Sequence, residues 1–423
     1  MSFLRSLFSG VAGIRNHQVM MDVLGNNISN INTVGFKGGR VTFGELYAQT
    51  LRGASQPVGN NGGTNPMQVG LGMTVNSIDT LFGQGNIETT GQPTDMAIQG
   101  SGFFIVKKDG KTAYSRVGTF SLDAEGKLVN PGNGAILQGK LANAQGVIPS
   151  GTALVDVKIA LDAQSPAKAT TTVKFAGNLD SSAANNSTAS ASVSVFDSLG
   201  NTIPVTLTFT KTGANAWSWA AATVAPATTT AAGTLTFNAA DGTLQSLTGT
   251  PIIINPGTGA ASPIGGATGI AVDFGIPTAT PPGVFKGITQ TAAPSSVTPR
   301  EQDGYAAGVL SNITIDKTGK VVGAFSNGTI LDLAQVMLAE FNNPGGLVRS
   351  GDNTYAISGN SGGAAVVNAG QNSTIQAGSL EQSNVDLSEE FTRMILAQRG
   401  FQANARVVTT SDEFLQEVVN LKR

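Results

Sequence analysis

Acid–base, nucleophilic and metal chemistry all need titratable or soft side chains gathered in one place. This 423-residue chain offers few of them: one histidine, no cysteine, and charged residues at only 12% of the whole. His17 stands in a helical stretch with no serine or carboxylate motif beside it, so it reads as a packed or surface residue rather than a base. The absence of cysteine removes thiol nucleophiles, disulfides and soft metal sites together. "PGNGAILQG" (131–139) contains Gly-x-Gly without the strand-to-helix dinucleotide fingerprint. "FSLDAEGKL" (120–128) and "ITIDKTGKV" (313–321) repeat an Asp-x-x-Gly pattern, but the alternating oxygen ligands of a calcium loop are missing. Turn chemistry explains them better, with Asp starting the turn and Gly taking a positive φ. No residue set selects a reaction, and the chain is expected to be neither an enzyme nor a holder of a cofactor or metal.

The densest polar chemistry is of another kind. "LGNNISNINTVGFK" (24–37) crowds Asn26, Asn27, Asn30 and Asn32 around Ile28 and Ile31. Asparagine ends helices because its amide competes for backbone hydrogen bonds, yet one would suffice for that. Four uncharged amides, each both donor and acceptor, fit either a frayed helix end on the surface of an ordinary domain or a helix end buried against another surface, where orphan backbone groups need partners.

The elements that would position this cluster are two amphipathic helices at opposite ends of the chain. Leu7, Ile14, Met21 and Ile28 recur at sevens in the first; Leu387, Met394, Phe401, Val408 and Leu415 do so in the second. Asp386 and Glu389 form a capping box before the second helix. An ordinary amphipathic core helix drifts only about 20° per heptad, so such spacing fits it too, but sevens sustained this long favour a coiled-coil seam. The two helices are natural partners for each other.

Between them the pattern is β. "VSVFDSLGNTIPVTLTFTKTGANAWSW" alternates through Val193, Val195, Val205, Leu207, Phe209, Trp217 and Trp219, with turns at 197–201 and 211–215. In "FFIVKKDGKTAYS", Asp109-Gly110 suits a tight hairpin. Pro- and small-residue-rich stretches at 163–172 and 291–304 mark two seams, and 53–66 reads as a loop. The expected division is a terminal helical domain (1–65 with 376–423), a discontinuous β domain (66–164 with 300–375) and an inserted β domain (165–299). A net charge of −2 with no basic run argues against nucleic acid as a partner, and no apolar run reaches the length of a membrane span. The N-terminal stretch has no A-x-A cleavage site and is a poor secretory signal.

"SGVAGIRNHQVMMDVLGNNISNINTVGFK" resembles the N-terminal signature of the bacterial flagellar rod and hook proteins: a long helix, an Asn-rich end, and a Thr-x-Gly-aromatic-basic turn, here Thr33, Gly35, Phe36 and Lys37. "GSLEQSNVDLSEEFTRMILAQRGFQANARVVTTSDEFLQEVVNL" resembles the matching C-terminal signature, and 94–106, 114–130 and 308–328 resemble the family's β domain. The resemblance implies a mainly β fold with terminal α-helices: a coiled-coil layer, a discontinuous β domain and an inserted barrel- or sandwich-like domain. It implies a non-enzymatic subunit of the extracellular flagellum, exported through the flagellar export apparatus and polymerising with itself. The 165–299 insertion points to the hook-type members, which form a curved, torque-transmitting tube. Their neighbours are the distal rod protein, the hook cap and the hook–filament junction proteins. A rod-type member is the alternative, because the 44–68 connection resembles one, and a secreted β-rich oligomeric adhesin is a second. The nine residues of the two heptad stripes and the four asparagines are then the expected polymerisation interface. A Cys–Lys crosslink known in some hooks is not available to this chain.

Overall fold

The computed structural model describes residues 2–421 except 58, 60–61, 152, 161, 224–226, 230, 256–268 and 276–286. Among the described residues two α-helices, α1 (Ser2–Ser29) and α2 (Leu387–Asn420), frame strands and turns with a short 3-10 helix at Pro344–Gly346. Asp386 caps α2 by accepting from the backbone N–H groups of Ser388 and Glu389 (2.8 and 3.2 Å). Glu389, the expected second half of a capping box, pairs with Arg393 one turn on. With Glu390 it places negative charge at the positive end of the helix dipole.

The chain divides into two compact units: residues 1–160 with 313–322 and 332–423, and residues 161–312 with 323–331. In the first, α1 and α2 pack against each other and lead into an antiparallel ribbon of Gly39–Glu45 with Met73–Thr80. A second ribbon pairs Ala48–Arg52 with Met67–Gly70, exposed along both strands. Beyond them, Phe103–Lys108 turns through Asp109-Gly110 into Lys111–Ser115. Both turn residues have positive φ (50° and 77°), the geometry of the tight hairpin turn that such a pair favours. Ile136–Leu141 and Thr354–Ala356 extend this sheet on either side. Phe103, Ile105, Tyr114, Met337, Phe341 and Tyr355 form its core, their rings meeting edge to face.

The second unit carries a five-stranded antiparallel sheet running from Thr188–Phe196 to Leu244–Gly249 in chain order. The alternation read in the sequence is its inward face: Val193, Val195, Val205, Leu207, Phe209, Trp217 and Trp219 are all buried. They pack with Phe175 and Leu179 of strand Thr172–Asp180, and with Phe274. The two chain passages at the seams lie side by side. Lys168 and Tyr305 exchange backbone hydrogen bonds at 3.0 Å, and Asp303 accepts from Thr171 N, Thr172 N and Thr171 Oγ1 at 2.6–2.9 Å. Lys168 Nζ adds an ion pair at 3.2 Å.

The Asp-x-x-Gly loops are turns. Asp123, Asp197 and Asp316 each accept from backbone N–H groups two and four residues on, and Gly126, Gly200 and Gly319 take φ of +78°, +87° and +77°. A carboxylate occupied by its own loop needs no cation.

Candidate functional site

The close approach of α1 and α2 is antiparallel and built from small and polar residues. Ser6 Oγ lies 3.2 Å from Ser411 Oγ, and Asn27 Nδ2 donates to Glu390 at 3.0 Å. Between these points the helices nearly touch. A Cβ added to Gly10 would lie 3.0 Å from Val408, one on Gly13 2.5 Å from the Asn404 side chain, and one on Gly400 2.5 Å from His17 Nε2. Glycine in a helix interior costs about 1 kcal/mol against alanine, a cost met here by packing the two backbones together. Ala397 is buried on the same face. His17 is a packing residue, its ring edge-on to Phe43.

At the base of this pair the two ends of the chain are locked to the β sheet through buried charge. Glu381 is fully buried, and its Oε1 accepts from Lys37 Nζ (2.6 Å), Gln84 Nε2 (2.9 Å) and Gly85 N (2.9 Å). Its Oε2 faces Arg116 Nη1 at 3.4 Å, and Arg116 also donates to Gly100 O and stacks over Phe103. Lys37 donates to Gly83 O at 2.8 Å. Two cations thus share one carboxylate out of reach of water. Burial pushes both Lys37 and Arg116 below their ordinary values, and Glu381 recovers part of that cost. Gly35 N donates to Glu381 O, and Gly35 sits at φ +68° with the Arg116 backbone 2.9 Å from where a Cβ would be. Arg349 closes the turn, donating to Lys37 O (2.6 Å) with its guanidinium over Phe36.

The four asparagines do not act alike. Asn27 is buried and fully used within the chain, donating to Gly39 O and Glu390 and accepting from Gly39 N. Asn30 donates to Asn26 O and accepts from Thr33, closing the end of α1. Asn26 and Asn32 are exposed. Of the heptad stripes, Leu7, Ile14, Met21, Ile28, Met394, Phe401, Val408 and Leu415 are half-buried, and Leu387 is exposed. They flank the close approach and do not centre it, except Val408, which lies on Gly10. Exposed apolar side chains form further rows, among them Phe8 and Val11 on α1 and Phe391, Ile395 and Leu396 on α2. Sequence reasoning singled out Lys37 but missed Glu381 and Arg116. Their signal was a lone charge in each of the uncharged stretches around them, "GSLEQ" and "YSRVG", in a chain where charge is scarce. Among the described residues no cluster of three or more His, Asp or Glu could hold a metal ion, and no helix is long and apolar enough to cross a membrane.

The comparisons with known proteins fit these pieces to one family. Four family models match in chain order: Flagella basal body rod protein (9–37), Flagellar hook protein FlgE/F/G D1 domain (97–174), Flagellar basal body protein FlaE D2 domain (160–305) and Flagellar basal body rod FlgEFG protein C-terminal (376–421). The first and last fall on α1 with its Asn-rich end and on α2 with Glu381. Flagellar hook protein FlgE of Borreliella burgdorferi is 41% identical over 99% of this chain and 100% of its own length. That of Treponema pallidum is 40% identical over the same shares. The crystal structure of Helicobacter pylori flagellar hook protein FlgE2 shares the fold at a TM-score of 0.52 and 13% identity, covering 70% of this chain and all of that one. With a helix pair at its ends, a split β unit and an inserted β unit in the matching order, the chain belongs to the flagellar hook protein FlgE family, whose members are structural proteins of the extracellular flagellar hook and not enzymes.

Proposed function

We propose that copies of this chain polymerise through α1 and α2 into a curved, flexible tube that joins rod to filament and carries motor torque as a universal joint. The observation that carries this reading is the exposed apolar surface of the helix pair. Phe8 is 70% exposed, Leu396 64% and Ile395 57%, on helices that already use another face for each other. A row of this kind on a lone subunit marks a surface meant for a partner. Covering each such side chain contributes about 1.5–3 kcal/mol, repeated at every copy added. In this reading the helical ends (1–65 with 376–423) form the inner layer of the tube. The heptad residues and the exposed Asn26 and Asn32 lie at contacts between copies. The distal rod protein meets one end of the tube, the junction proteins and the cap the other, and the chain reaches that end through the flagellar export apparatus. The test is electron microscopy of the purified, concentrated chain. Short hollow tubes are expected; compact trimers or monomers at every concentration would contradict the reading.

A further inference from the structure

One face of α1 outside the helix pair is not closed. Phe8, Val11 and Ala12, with Leu46 and Leu71 of the adjoining segments, line an apolar groove whose rims are Arg5 and Arg15. Arg5 donates to Gln49 at its exposed edge, and Arg15 is exposed and has no ion-pair partner among the described residues. The end of α2 presents the opposite pattern. With Ser6 opposite Ser411 in an antiparallel pair, the α2 residues after Leu415 lie beyond the level of Ser2, away from Phe8 and Val11 of their own chain. Val418 and Leu421, 54% and 83% exposed, fall on one face there, with Glu413 and Glu417 on the adjoining row one turn apart. Both glutamates are exposed and unpaired among the described residues. An apolar groove rimmed by arginine and an apolar stripe edged by glutamate are complementary in both shape class and charge. The antiparallel register keeps the two patches of one chain apart, because Val418 and Leu421 lie at a different level of the helix pair from Phe8 and Val11.

We propose that the Arg5–Arg15 groove of one copy receives the end of α2 of a second copy, Val418 and Leu421 packing on Phe8 and Val11 while Glu413 and Glu417 face Arg15. This rests on the self-assembly reading above and names the contact within it. The two patches differ, so the contact is head-to-tail and leaves a free groove and a free end at every step, the condition for an open polymer.

The test is a charge swap read by sedimentation of the full chain. Arg15→Glu alone and Glu413→Arg/Glu417→Arg alone each set like charges together and should raise the critical concentration about tenfold or more. The combination of all three should restore assembly to near the wild-type value. Either single-face variant assembling like the wild type overturns the proposal. So does a combined variant that stays blocked, which would assign the groove to a different partner. As these side chains are exposed, thermal melts should match the wild type. A second probe exploits the lack of cysteine: a chain carrying Val11→Cys and Val418→Cys should give a disulfide-linked ladder on mild oxidation during assembly, and monomer alone would contradict the contact. A wild-type chain that never forms tubes would instead strike at the proposed function, whereas tubes insensitive to the swap strike only at this contact.

Discussion

Among the described residues, Glu381 is the one buried carboxylate that answers two buried cations, Lys37 and Arg116. Removing one partner of a buried ion pair costs about 3–5 kcal/mol, since the remaining charge is left without compensation. Glu381→Gln is therefore expected to lower the unfolding free energy of the unit holding both helices by that order, and its denaturation midpoint with it. Lys37→Met, which leaves Arg116 and Glu381 as a balanced pair, should cost much less. Chemical denaturation followed by circular dichroism separates the two; equal losses would mean the cluster is held by packing rather than charge. Asp303 offers a second check at this scale. Partial burial pushes its carboxyl up, but hydrogen bonds from Thr171 and Thr172 and the Lys168 ammonium outweigh that and hold it well below the usual carboxylate range. A depressed carboxylate contributes stability that is fully present above its unfolded value of about 4 and is lost as pH falls through the folded value. The melting temperature of the second unit should therefore fall with acid below about pH 4, and Asp303→Asn should flatten that fall. Lys37 was legible as part of the Thr-x-Gly-aromatic-basic turn. Its partner was not, because 344 positions separate the two residues and only the fold brings them together.

At the scale of elements, the sevens in both terminal stretches identified two long helices that belong together, and the alternation through Val193, Val205 and Trp217 identified three of the five strands of the inserted sheet. Neither could say which row of a helix faces its partner. A seven-residue period repeats on every row, and here the closest row is the one with least apolar content: Gly10, Gly13, Gly400, Ala397. Small side chains let helix axes approach, so the tightest contact is the least hydrophobic-looking one. Gly400→Ala tests this, because the new methyl would meet the His17 ring. Overpacking of this kind costs about 1–3 kcal/mol. The expected result is a loss of helical signal on melting at lower temperature, with the β units unchanged. An unaltered melt would place the seam elsewhere. Ile14→Asp or Phe401→Asp, at the half-buried flanks, should leave each β unit intact but raise the critical concentration for assembly by about a hundredfold, the equivalent of two losses of 1.4 kcal/mol.

At the scale of the whole molecule, the paired passages at Lys168–Thr172 and Asp303–Tyr305 make the inserted part a loop with adjacent ends. Replacing 173–302 with a short Gly/Ser linker should therefore leave a chain that still forms tubes, with altered curvature or stiffness seen by electron microscopy. Composition had marked both seams, but not that they are stitched to each other, since Thr171 and Asp303 carry no local sign of their pairing. If the helix pair is the contact between copies, a helical reconstruction of the assembled tube will show α1 and α2 of neighbouring copies packed together in the innermost layer, with Phe391, Ile395 and Leu396 covered. A tube in which those side chains face water, and copies meet only through residues 161–312, would contradict it.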